Sequence, residues 1–145
     1  MDLMTALKVG SSGMSAQRTW MNILAENLAN VNTTRTQDGK PYRRKTVIFE
    51  TVPYGSSFDD LLASFEDNSV SEVQVSDIVE DGRDFKEVFD PGHPDANEKG
   101  IVLYPNISIV EEMVNMLTAT RSYEANASVI KNVKAMAMKT LELGR

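Results

Sequence analysis

With 145 residues the chain has room for one ordinary domain, and at 41% hydrophobic and 7% aromatic it has little material for a rigid aromatic core. The net charge of −6 argues against nucleic-acid binding, which demands a basic face, and the absence of cysteine excludes disulfides, thiolate nucleophiles and thiolate metal sites. No stretch approaches the ~18 apolar residues of a membrane span, so no direct membrane insertion is expected, and the opening Met1-Asp2-Leu3-Met4-Thr5 lacks the basic region and apolar core of a cleaved signal peptide. A protein that leaves the cytoplasm with this start needs a route that does not read such a peptide.

The first element is a helix carrying a heptad stripe. Leu3, Leu7, Gly10, Met14, Gln17, Met21, Leu24, Leu28 and Val31 recur at alternating spacings of four and three, and seven of the nine are apolar. Gly10 and Gly13 fall inside it, and each costs ~1 kcal/mol relative to Ala in a helix interior. Small residues at this point let a neighbouring helix come close. Periodicity alone leaves two readings open: a coiled-coil seam, or an ordinary amphipathic core helix.

The middle of the chain reads differently. Arg43–Val52 and Glu72–Val79 are β-branched and partly alternating, which predicts short strands, and Phe85–Phe89 is a candidate third. Tyr54–Ser71 reads as a loop with a turn of helix at Leu61–Phe65. Asp90-Pro91-Gly92-His93-Pro94-Asp95 is dense turn chemistry.

The last element is the stronger helix. Pro105 breaks what precedes it, Ser108 and Glu111 fit a capping box, and neither Pro nor Gly interrupts the run to Leu143, after which Gly144 is a stop. Ile109, Met113, Met116, Tyr123, Ala127, Ile130, Ala137 and Leu141 follow a stripe of about 3.5 residues, with Thr120 and Lys134 as its polar members. At ~1.5 Å per residue such a helix is roughly 50 Å long, too long for a small globule to surround. It must pair with the first helix, with other chains, or with both.

Charge separates these parts. Residues 1–32 have a net charge of 0, residues 106–145 of +1, and residues 33–105 of −7. Nearly neutral ends and a charged middle are what burial of the ends by partners requires. The candidate subunit-interface residues are therefore Leu3, Leu7, Met14, Met21, Leu24, Leu28 and Val31 at one end. At the other they are Ile109, Met113, Met116, Tyr123, Ala127, Ile130, Ala137 and Leu141.

Candidates for chemistry are few. His93, the single histidine, lies between Asp90 and Asp95 and could join them around a metal or act as a base. Two prolines and a glycine in the same six residues instead specify a turn whose carboxylates cap backbone N–H groups. The basic cluster Arg43-Arg44-Lys45, with Lys40 and Tyr42, could grip nucleic acid or an anionic lipid surface, but in an acidic chain it is expected to pair with carboxylates of a neighbouring molecule or of its own middle segment. No phosphate loop, acid/base pair or nucleophile elbow is present. No catalytic, metal or cofactor residue is assigned, and no enzyme activity is expected.

The stretch Leu28-Ala29-Asn30-Val31-Asn32-Thr33-Thr34, preceded by Gly13-Met14-Ser15-Ala16-Gln17-Arg18, resembles the N-terminal signature of the flagellar axial proteins, the rod, hook and hook-associated subunits. Thr33-Thr34-Arg35-Thr36, Pro41-Tyr42-Arg43-Arg44 and Val47-Ile48-Phe49-Glu50 narrow the resemblance to the proximal-rod members. It continues through Asp90-Pro91-Gly92-His93-Pro94-Asp95-Ala96, Tyr104-Pro105-Asn106, Val110-Glu111-Glu112-Met113-Val114, Arg121-Ser122-Tyr123-Glu124-Ala125-Asn126 and Leu141-Glu142-Leu143-Gly144-Arg145. Only about Tyr54–Ser71 falls outside it.

The resemblance implies a fold that is mainly α with a small β-rich insert. Residues 1–32 and 106–145 would pair as a coiled-coil-like inner domain, with 33–105 as the insert outside it. It implies a structural subunit of the basal-body rod, exported unprocessed by the flagellar type III apparatus and assembled into the periplasm-crossing shaft that transmits torque. Partners would be other rod proteins, copies of itself, the protein at the MS-ring/rod junction and the export apparatus, with no small-molecule substrate and no nucleic acid. Asn30, Asn32, Thr33 and Thr34 would be motif residues. The alternative is a soluble helical adaptor or export chaperone of a secretion system that uses the same seams for a few partners.

Overall fold

The computed structural model describes residues 3–53 and 70–144, so the loop and helical turn expected within 54–69 lie outside the described residues. Helix α1 spans Leu3–Ala29 and helix α2 Ile109–Leu143; between them come strands β1 (Lys45–Pro53), β2 (Ser71–Glu80), β3 (Lys86–Phe89) and β4 (Ile101–Tyr104). The two terminal helices pack together, and the strands form two small sheets, β1 with β2 and β3 with β4. The expected strands are present with ends shifted by a residue or two, as hydrogen bonding rather than composition sets them. Strand β4 was not anticipated. Its four residues, Ile101-Val102-Leu103-Tyr104, are apolar and largely β-branched but too short to stand out beside Pro105.

The chain forms two compact units. The first contains Met1–Thr19, Ile48–Asp77 and Ala119–Arg145; the second contains Trp20–Val47 and Ile78–Thr118. Each helix contributes one stretch to each unit.

In the first unit the helix stretches approach at two glycines. A Cβ placed on Gly13 would lie 2.7 Å from Asn126 Nδ2, and one on Gly10 would lie 3.0 Å from Ile130 Cγ1. The propensity lost at these glycines is exchanged for a close approach that a larger residue would allow only by displacing the Asn126 amide or the Ile130 side chain. Thr5 and Ala16 are the other buried α1 residues here, and Ala119 is fully buried on α2. Ser12 ties α1 to β2: its Oγ donates to the Val9 carbonyl at 2.9 Å and accepts the Val73 N–H at 3.3 Å.

In the second unit the antiparallel β3–β4 pair sets Val88 opposite Val102 and Phe89 opposite Ile101. Alternation then puts Val102 inside at 1% exposure and Phe89 outside at 73%. Ile23, Leu24 and Tyr42 are buried alongside Val102, together with the polar side chains of Asn27, Arg44 and Glu112. Ser108 caps α2 on one side only. Its Oγ accepts the Glu111 N–H at 3.5 Å and its carbonyl the Glu112 N–H at 3.0 Å. The Glu111 carboxylate turns instead to Arg83, at 3.5 Å.

The close approach at Gly13 is testable. Gly13→Val should lower stability by roughly 1–3 kcal/mol, because the branched side chain must displace Asn126 and part the helices. Thermal unfolding followed by circular dichroism reads this as a lower midpoint, although valine is the better helix former; an unchanged or higher midpoint would refute it.

Candidate functional site

Two features of the second unit define what the terminal helices can do: a buried polar clasp, and an apolar side left open to solvent. The clasp begins at Asn27 in the last turns of α1. Its amide satisfies four hydrogen bonds: Nδ2 donates to the Lys45 carbonyl at 2.8 Å and to Glu112 Oε2 at 2.9 Å, while Oδ1 accepts the Tyr42 hydroxyl and the Lys45 N–H, both at 3.0 Å. Glu112 Oε1 accepts from Arg44 Nε at 2.7 Å. Asn27 and Glu112 are both at 0% exposure. A carboxylate in that position is tolerable only because each oxygen holds a donor and one of those donors is a cation.

Arg44 extends the network outward. Its Nη1 reaches Asp81 Oδ2 at 3.3 Å, and its backbone N–H donates to Asn106 Oδ1 at 3.0 Å. Asp81 also receives Arg83 Nε at 2.8 Å, and that hydrogen bond is the main reason its carboxyl is held below the usual carboxylate range. Arg43 donates to the Asp81 and Arg83 carbonyls and stacks over the Phe85 ring at 4.4 Å. Lys45 pairs with Glu26 at 2.6 Å. The basic cluster at 43–45 is thus engaged by carboxylates and carbonyls of its own chain.

The motif residues close α1. Asn30 Nδ2 donates to the Glu26 carbonyl at 2.9 Å, and Asn30 Oδ1 accepts the Thr33 hydroxyl at 3.1 Å. The Thr33 carbonyl then accepts the Tyr42 N–H at 3.1 Å, which turns the chain back toward the clasp. Thr34 donates to Asp95 Oδ2 at 2.8 Å, and Arg35 pairs with the same carboxylate at 3.7 Å; Asn32 faces solvent. Asp90 Oδ1 caps the Gly92 N–H at 3.2 Å, while His93 Nδ1 accepts the Asp95 N–H at 3.1 Å. The 90–95 segment is therefore a hydrogen-bonded turn. Among the described residues no group of three potential ligands is placed to hold a metal ion.

The open side lies on the first turns of α2. Ile109, Val110, Met113, Val114 and Leu117 are exposed by 50–72%. Spacings of one, three, one and three put them on one flank. Further along, in the first unit, Val129, Met136, Met138, Leu141 and Leu143 are exposed as well.

The sequence-derived stripes map onto this pattern unevenly. Leu3, Ile109, Met113 and Leu141 are exposed, and Leu24 is buried at 1%. Leu7, Met14, Met21, Leu28, Val31, Met116, Tyr123, Ala127, Ile130 and Ala137 are half-buried. The reason is geometric. A 3.5-residue stripe slips ~20° per heptad around a straight helix, so over four heptads it drifts well off the face where it began. The stripe on α2 is exposed at Ile109 and Met113, half-buried from Met116 to Ala137, where Ile130 meets Gly10, and exposed again at Leu141. The residues buried in α1 are Thr5, Gly10, Ala16, Ile23, Leu24 and Asn27, and the small and polar ones among them are those that an apolar count passes over.

Two family models match the chain. One described as flagella basal body rod protein covers residues 7–36, and one described as flagellar basal body rod FlgEFG protein C-terminal covers residues 98–143. The flagellar basal-body rod protein FlgC of Bacillus subtilis is 42% identical over 147 residues, covering 97% of each chain. The protein of the same description from Borreliella burgdorferi is 39% identical over 99% of this chain and 98% of its own, and that from Escherichia coli O6:H1 is 37% identical over the whole of both.

One property of the clasp can be titrated. Burial, and after it the Glu26 carboxylate, push the Tyr42 phenol far above its ordinary value of 10.0. The folded chain thus retains a proton that the unfolded chain releases above pH ~10, so this contribution is complete below that pH and is lost as pH rises toward the folded value. The unfolding free energy from denaturant titrations should fall above pH ~10 by up to about 1.4 kcal/mol per pH unit. Tyr42→Phe should cost about 1 kcal/mol at neutral pH and flatten the alkaline fall; an equally steep fall in the variant would place its origin elsewhere.

Proposed function

The chain belongs to the FlgC family of flagellar basal-body rod proteins, and we propose that it joins its neighbours through the open apolar side of α2 together with the half-buried stripe of α1. It is a structural subunit of the basal-body rod, not an enzyme, and it serves motility by assembling with other rod proteins. Among the described residues no helix is long and apolar enough to cross a membrane.

The observation that carries the interface is the exposure of Ile109, Val110, Met113, Val114 and Leu117 on one flank of a helix whose opposite flank is already occupied. Contiguous apolar surface of this kind marks a protein contact. Each such side chain is already partly covered, so its full burial by a neighbour contributes roughly 1–2 kcal/mol. A head-to-tail contact whose rotation does not close extends into an open helical array, the form a shaft requires.

The finer assignments belong to the same reading. Residues 1–32 and 106–145 make the inner helical part and 33–105 the outward insert, a division supported by net charges of 0, +1 and −7. The neighbours are copies of the chain, other rod proteins and the protein at the MS-ring junction, and the subunit arrives through the flagellar export apparatus. Torque then passes through many parallel apolar contacts, none of which has to be strong alone.

Leu117→Asp tests the interface. Leu117 is 53% exposed, so the isolated variant should match the parent in stability within about 0.5 kcal/mol. In cells lacking the parent copy it should nonetheless fail to enter the basal body and leave the cells non-motile. Normal swimming with normal incorporation would remove Leu117 from the interface.

A further inference from the structure

We propose that the polar clasp decides which flank of α2 faces the chain's own interior, and so keeps the apolar flank available to a neighbouring subunit. The use of that flank in assembly rests on the reading above; the choice of flank is a property of the single chain.

Six of the nine residues from Ile109 to Leu117 are apolar. Hydrophobic burial is non-directional, so this stretch could satisfy the interior in more than one rotation about its axis. A turn of about 100°, one residue's worth, would replace Glu112 with Met113 at the buried position and carry Leu117 inward with it. In apolar area that rotation competes with the observed one: it hides side chains that now stand 59% and 53% exposed and releases a carboxylate at 0%, while it turns Met116 and Ala119 away from the interior.

The clasp opposes it. Glu112 is held by Asn27 at 2.9 Å and Arg44 at 2.7 Å, and Asn27 is itself fixed by Tyr42 and by both backbone groups of Lys45. Turning α2 would take the Glu112 carboxylate away from the Arg44 guanidinium, only 10% exposed and left with Asp81, and from the Asn27 amide, left with the Lys45 carbonyl. Specific polar bonds thereby override a non-specific apolar preference. Setting register or orientation is the best-attested use of buried ionic groups.

Because the chain has no cysteine, Leu117→Cys provides a single reporter thiol, and its modification rate measures exposure of the flank without any assembly step. In the parent background the rate should approach that of an unstructured peptide. Arg44→Met removes the cation that holds Glu112, and Glu112→Met/Met113→Glu moves the carboxylate by one position at constant composition. In each, helicity should persist while the reporter is modified at least about tenfold more slowly, as α2 turns and Leu117 goes inside. Folded variants that react within about twofold of the parent would overturn the proposal, and so would loss of helicity in both, which would make the clasp a matter of stability alone. None of these rates depends on rod assembly, so a failure here is distinguishable from a failure of the interface reading.

Discussion

A carboxylate at zero exposure, shared between an amide and a guanidinium, constrains the second unit more than any apolar contact in it. Glu112 has to sit where Asn27 and Arg44 converge, because a buried charge without a partner costs several kcal/mol, on the order of the stability of a small domain. That requirement draws in the end of α1 through Asn27, the start of β1 through Arg44 and Lys45, the turn after β2 through Asp81, and the approach to α2 through Asn106. Apolar burial at Ile23, Leu24 and Val102 supplies driving force, and the polar bonds supply direction.

The first unit joins stretches of the same helices by different means. Gly10 and Gly13 let α2 come within van der Waals contact of the α1 backbone, so dispersion and shape help to set the spacing there. Such contact rewards a single spacing and is disrupted by one added methyl group where the neighbour cannot yield. Polar specificity in one unit and steric specificity in the other achieve similar selectivity from opposite materials. Neither relies on a large apolar seam, which leaves much of the apolar surface of α2 uncommitted.

How legible this was in the sequence follows from the same physics. The helices, and three of the four strands, are local patterns of period and capping, and such patterns can be read without tertiary information. The turn at Asp90–Asp95 was legible because Pro and Gly restrict the backbone by themselves. Strand β4 was not, since four residues carry almost no periodicity. The clasp was invisible for a deeper reason. Asn27 and Glu112 are separated by 85 positions, and nothing adjacent to either distinguishes a buried polar residue from a solvated one. Glu111 drew attention as a capping residue, while its neighbour Glu112 makes the deeper contact. The heptad stripes were real as counts of apolar residues but drifted around the helix, because a 3.5 repeat follows one face only in a supercoil.

Part of the apolar stripe on α2 stays outside the chain's own interior, at Ile109, Met113 and Leu141. An apolar side chain at the position of Glu112 would need no partner of opposite charge. Natural sequences depart from such local consistency mainly where function demands it, and they retain the stability lost by doing so only if another interaction compensates. Here the departure and its compensation are adjacent. The residues left in solvent are Ile109, Val110, Met113, Val114 and Leu117, and the group that keeps them there is the carboxylate in their midst, at Glu112. A subunit built to be enclosed by others must resist completing itself, and a fully satisfied polar cluster is a reliable means of resistance, because it gains nothing from any rearrangement that apolar surface alone would favour.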